Sequence, residues 1–204
     1  ANEFKDILFE SCSGGGGRFD PGMLYYMPQT WTSDDTDAYE RQFIQYGTSF
    51  AYPQITMGAH VSVSPNHQTV RATSMQTRAH GSMMANLGYE LDLSVLSEED
   101  KIHVFAQVRY YKPIRRDIQF GRFYRILSPY GNKGSCFIIE SEDTKRYYMF
   151  YFRGVNRLNK GKFTLPLHYL SEGSYTAEII DFSHKVSASG IQEADVNKEN
   201  VSNK

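Results

Sequence analysis

The sequence predicts an α/β region with parallel strands over roughly its first 118 residues, followed by a small antiparallel β-sandwich. Two observations carry this reading. Up to Phe120-Gly121, stretches with a strand-like apolar period alternate with stretches of helical period. Beyond that point, short aromatic runs are separated by turn residues at close spacing.

The elements follow in order. Ile7-Leu8-Phe9 reads as a buried strand feeding the flexible glycine run Gly14 to Gly17. Thr30-Trp31-Thr32 suggests a second short strand, closing at Ser33-Asp34. A helix comes next. Asp35 and Asp37 lie in its first turn, where the helix dipole favours negative charge. Tyr39, Phe43 and Ile44 share a face, and Gly47 suits the C-cap. From Ile55 to Val63 apolar and small or polar residues alternate with period two, a strand that Pro65-Asn66 stops. Val70 to Asn86 reads as a helix and Tyr89 to Leu93 as a strand. Ser97 with Asp100 resembles a capping box. The helix it opens carries Ile102, Phe105 and Val108 on one face, and Pro113 should end or kink it.

After Gly121 the runs Phe123 to Leu127, Cys136 to Ile139 and Tyr147 to Phe152 read as strands, with turns such as Pro129-Tyr130-Gly131-Asn132 between them. From about Val186 the chain is polar and is expected to form a loose tail.

Bulk properties bound the function. The 22 basic and 23 acidic residues balance to a net charge of −1, which argues against a nucleic-acid binder. No apolar run approaches the roughly 18–20 residues needed to span a bilayer. The two cysteines, Cys12 and Cys136, show no metal-type spacing and read as free thiols of a reducing, cytoplasmic compartment. No metal or other cofactor is expected. The chain starts at Ala1 without a signal-peptide pattern, and a start without Met suggests a fragment or a processed chain.

Two blocks are candidates for chemistry, each at the end of an expected strand. One runs from Glu10 to Asp20 around the glycines; the other is Trp31-Thr32-Ser33-Asp34-Asp35-Thr36-Asp37. Glycines at such a place let backbone N–H groups approach a ligand closely. A phosphate cradle would have the same mechanics, but no Gly-Lys-Ser/Thr follows. From local sequence alone the aspartates are most simply helix caps. A carboxyl serving as general acid would need crowding or burial to hold its proton near neutral pH.

The two blocks, in this order, resemble the signature of glycoside hydrolase family 36, the large microbial α-galactosidases. The resemblance continues through Ile44 to Ser49, Met57 to Ser62, Pro65 to Gln68, Tyr111-Lys112 and Ile118 to Gly121. It implies the C-terminal part of a (β/α)8 barrel over residues 1–119, an antiparallel β domain over 120–185 and the polar tail over 186–204. It implies a retaining glycosidase that releases terminal α-galactose from sugars such as melibiose and raffinose, often as an oligomer. Retention needs two carboxyl groups about 5–5.5 Å apart. The family's acid/base falls on Asp34, with Asp35 its competitor by position. The sugar-binding residues fall on Cys12 and Gly15.

Around them, Arg18 and Asp20 could pair to hold the glycine loop, Trp31 could stack on a sugar, and His60 faces either the site or the core. The family's nucleophile is the Asp of a Lys-Trp-Asp-x-Asn string. The only Trp here is Trp31, between Thr30 and Thr32, so that motif is absent. The isolated chain is therefore expected to be inactive. Two readings stay open beside hydrolysis: galactosyl transfer to a sugar acceptor, and a non-catalytic galactose-binding or structural fragment.

Overall fold

The computed structural model describes residues 3–12, 14, 17, 19–131, 134–153, 165, 167, 169–180, 182 and 191–196, the last six by backbone alone. Four short strands form a parallel sheet: β1 (Glu10–Ser11), β2 (Gln29–Trp31), β3 (Met57–Ser62) and β4 (Asn86–Glu90), side by side in that order. The helices α1 (Pro21–Leu24), α2 (Glu40–Thr48) and α3 (Met75–Met83) connect them, and α4 (Glu98–Phe120) follows β4.

The period-two pattern of β3 explains how the sheet packs. Val61 joins Met75, Ala79 and Met83 of α3 and Tyr111, Ile114 and Ile118 of α4 in one buried cluster. Met57 and Ala59 pack with Ala85. Each large side chain buried this way contributes about 1.5–3 kcal/mol. Gly58 and His60 point to the opposite face, among Glu10, Gln29 and Trp31. That face is polar and aromatic rather than aliphatic.

Several elements differ from the sequence expectation. β1 is only Glu10–Ser11; Ile7 and Leu8 are exposed, Leu8 to 85%. Among the described residues this strand is the edge of the sheet and pairs only with β2, and none of them covers the apolar run before it. The helix expected from Val70 begins at Met75, because the Ser74 hydroxyl accepts the Thr77 N–H as its cap. Val70 itself has φ of 59°, outside any helix. β4 starts at Asn86, three residues before the expected strand, and ends at Glu90. Gly47 lies inside α2, whose C-cap is Ser49.

The Ser97 cap is where expected, its hydroxyl accepting the Asp100 N–H at 3.1 Å. Pro113 does not end α4, which runs on to Phe120. Tyr111, Ile114 and Ile118 are buried on either side of it. Their packing exceeds the roughly 3 kcal/mol that an interior proline costs. The buried face of α4 is Gln107, Tyr111, Ile114 and Ile118; Ile102 and Phe105 are exposed.

β5 (Arg122–Leu127), β6 (Ser135–Glu140) and β7 (Tyr147–Phe152) form an antiparallel sheet with β6 in the middle. Phe137 packs with Met84 and Phe152, and Ile139 enters the cluster around Val61. The antiparallel sheet thus shares a core with the parallel one. A third sheet pairs β8 (Gly173–Glu178) with β9 (Ile191–Val196). β9 falls inside the segment expected as a loose tail. Its backbone pairs along the whole of β8, and a pairing partner distant in sequence is what composition cannot reveal. Among the described residues, no helix is long and apolar enough to cross a membrane.

Candidate active site

The end of a parallel strand carries the Ser-Asp-Asp block. β2 ends at Trp31, and the chain continues through Thr32 and Ser33 into the three aspartates before α2. The structure gives each aspartate a different task. Asp37 holds the turn that leads into α2: its Oδ1 accepts the N–H of Tyr39 at 2.7 Å and of Glu40, the first residue of the helix, at 3.2 Å. It is buried, with Arg71 donating at 2.6 Å and the Thr69 hydroxyl donating to Oδ2. Burial acts to raise its carboxyl. The hydrogen bonds from Thr69, Tyr39, Arg71 and Glu40 prevail and hold it below the usual carboxylate range. Asp35 folds back on the loop, accepting the Asp37 N–H at 2.9 Å, while the Ser33 hydroxyl accepts the Asp35 N–H. Asp34 is exposed and has no hydrogen bond among the described residues. Of the three, only Asp37 accepts an N–H of α2, that of Glu40, and the N-cap position itself is Tyr39.

The loop is tied to the strand ends beside it. The Ser62 hydroxyl at the end of β3 donates to the Thr36 carbonyl at 3.0 Å. Asn66 donates to the Thr36 hydroxyl, and Gln68 accepts the Thr36 N–H. The Pro65-Asn66-His67-Gln68 string thereby has a physical role: it buttresses the Asp34 loop.

Arg41 was not singled out by the sequence reading. It sits in the first turn of α2, only 3% exposed. Its guanidinium donates to Thr32 Oγ1 at 2.7 Å and to the Ser33 carbonyl at 2.8 Å, and lies 4.0 Å over the Trp31 ring. Burial pulls it down to about 10, against the charges of Asp35, Glu90 and Asp34. None of those carboxylates is within ion-pair distance among the described residues. A readable signal existed: a cation in a first helical turn opposes the dipole.

Trp31 is 8% exposed, packed against the Arg41 guanidinium and the His60 ring, whose centroid is 4.3 Å away. Its faces are used for packing, so it is not an open sugar-stacking platform. His60 is on the polar face of β3, with Nδ1 3.3 Å from Glu90 Oε2. Gly58 and Gly88 make this arrangement possible. A Cβ on Gly58 would come within 2.8 Å of Glu10 Oε1 and 3.2 Å of Trp31 Cε3, and one on Gly88 would overlap the His60 ring.

In the glycine block, Cys12 directly follows β1 and is exposed, at the same sheet end as Asp34. Gly15 and Arg18 lie outside the described residues. Asp20 is the N-cap of α1, accepting the Met23 N–H at 3.0 Å. Cys136 is on β6, fully buried, its thiol pushed up to about 12 by burial. Both cysteines are free thiols. A cavity of about 500 Å³ lies elsewhere, lined by Tyr39, Arg71, Ser74, His80, Tyr151 and Arg153 among others. Its lining does not include Asp34, Cys12 or Trp31. Among the described residues, no group of His, Cys, Asp or Glu has the arrangement of a metal site.

Comparison with known proteins extends this picture. The melibiase family model matches residues 1–121. The α-galactosidase AgaA of Geobacillus stearothermophilus is 54% identical over 169 residues, which is 83% of this chain and 22% of that protein. Alpha-galactosidase 1 of Pediococcus pentosaceus is 63% identical over 126 residues, 62% of this chain and 17% of that protein. Among solved structures, a doubly substituted Geobacillus stearothermophilus AgaA of glycoside hydrolase family 36, in complex with raffinose, superposes with a TM-score of 0.82 at 50% identity. That match covers 86% of this chain and 25% of that one. An α-galactosidase from Lactobacillus brevis gives 0.83 at 42% identity, covering 88% and 24%. The chain thus spans a quarter or less of the length of these relatives. With its signature blocks on the ends of β1 and β2, the chain belongs to the melibiase family.

Proposed function

We propose that the protein of which this chain is part is a retaining α-galactosidase and that Asp34 is its general acid/base. One observation carries the assignment: of the three aspartates after β2, Asp34 alone is free of structural hydrogen bonds among the described residues, and it is exposed at the C-terminal end of a parallel strand. In parallel α/β sheets, ligands bind at that end. The relatives' names and the raffinose-bound structure support terminal α-galactosides, of the melibiose and raffinose type, as substrates.

In the first step the Asp34 carboxyl gives its proton to the glycosidic oxygen as the C1–O bond breaks, while a nucleophile carboxylate outside this chain bonds to C1. In the second, the Asp34 carboxylate takes a proton from water as the water oxygen bonds to C1 and the glycosyl–enzyme bond breaks. Cys12 and Gly15 line the galactose pocket without attacking the sugar. The four parallel strands form the C-terminal part of a (β/α)8 barrel through residue 119, and the antiparallel strands after it form a β-sandwich. The isolated chain is inactive because it holds one carboxylate of the pair. The whole protein is a cytoplasmic homo-oligomer without a metal cofactor; the two free thiols support the reducing compartment.

Asp34→Asn in the full-length protein is expected to lower kcat/KM for raffinose by about 10²–10⁴-fold. Wild-type turnover by that variant would sink the assignment. Products formed with excess raffinose distinguish hydrolysis, which releases free galactose, from transfer, which builds longer oligosaccharides.

A further inference from the structure

We infer that Arg41 is the positioning residue of the acid/base segment, holding the chain just before Asp34 through Thr32 and Ser33. The inference rests on the Asp34 reading above. It starts from where the residue sits. Arg41 is 3% exposed, in the first turn of α2, where the helix dipole opposes a cation. It has no carboxylate at ion-pair distance among the described residues, and its Nε finds no partner there. A buried cation under three adverse conditions is a poor device for stability alone, because neutral amides could cap the same two acceptors.

The guanidinium fork is used in a specific way. One nitrogen reaches Thr32 Oγ1 and the other the Ser33 carbonyl, at 2.7 and 2.8 Å, and the plane rests on Trp31. The two acceptors are the two residues immediately before Asp34. Three elements are therefore locked together at one point: the end of β2, the start of α2 and the loop between them. A segment fixed in this way keeps the Asp34 carboxyl in place for the leaving oxygen without rearrangement at the moment of reaction. Lysine would keep the charge but not the fork.

The test compares raffinose with p-nitrophenyl α-galactoside in the full-length enzyme. The aryl leaving group departs without a proton, so a defect in general-acid catalysis lowers kcat/KM on raffinose far more than on the aryl substrate. Asp34→Ala sets the reference pattern. Arg41→Met and Arg41→Lys are expected to follow it, losing about 10²-fold or more on raffinose and less than about tenfold on the aryl galactoside. If Arg41→Met does not fold, Arg41→Lys and Thr32→Val, checked by an unchanged melting midpoint, carry the same comparison. Equal losses on both substrates, or no loss, with Asp34→Ala still selective, overturn the role of Arg41 and leave Asp34 standing. An Asp34→Ala enzyme without selectivity overturns both.

Discussion

β3 and β6 are both almost wholly buried, yet they are buried for different ends. β3 alternates: Val61 packs on α3 and α4 and Met57 and Ala59 pack with Ala85, while Gly58, His60 and Ser62 face Glu10, Trp31, Glu90 and the Asp34 loop. β6 does not alternate. Cys136, Phe137, Ile138 and Ile139 are each fully buried, so apolar side chains fill both of its faces. A strand with a polar inner face marks where a site can be built, and a strand apolar on both faces marks scaffold. Glycine marks the contrast as well: Gly58 on β3 and Gly88 on β4 clear room for Trp31 and His60, and β6 from Ser135 to Glu140 contains no glycine.

The largest effect that could break this division is on β6. Phe137→Ala in the intact protein should lower stability by about 3–5 kcal/mol, read as a drop in melting temperature, because it empties a space beside Met84 and Phe152. A negligible drop would mean that β6 is not the scaffold. On the site side, Asp37→Asn should cost about 1.5–3 kcal/mol by removing charged acceptors from Tyr39, Glu40 and Arg71.

The same variant has a pH signature. The folded Asp37 carboxyl lies below its unfolded value of about 3.9, so its stabilisation is present above that value and fades as pH falls through the lower folded value. Asp37→Asn should flatten that part of the acid limb of a melting-temperature profile; an unchanged limb would remove Asp37 from the loop's electrostatics.

Gly88→Ala should cost about 1–3 kcal/mol by overpacking against the His60 ring, and should displace Trp31 as well. Intrinsic tryptophan fluorescence of this 204-residue chain reports this directly, since Trp31 is its only Trp; an unmoved emission band would mean the ring yields without effect. The smallest perturbation is chemical. Iodoacetamide should label exposed Cys12 quickly in the folded protein and Cys136, buried on β6, only after denaturation. Equal rates would show that β6 opens in the native state.

The sequence by itself determined the elements whose partners are near in the chain. The Ser97 cap, the period-two run of β3 and the order of strands and helices to Gly121 all follow from residues within a few positions of one another. So do the two signature blocks that carry the family resemblance. Only the tertiary structure decided which aspartate does what. Asp34, Asp35 and Asp37 are chemically alike, and they are told apart by Arg71, Thr69 and the N–H groups that turn toward Asp37. It also decided that α4 continues through Pro113, that Leu8 stays exposed, and that Ile191–Val196 pairs with β8. Arg41 belongs in the same class. Local sequence shows only a cation set against the helix dipole; its burial without a counter-ion among the described residues is a property of the packed molecule.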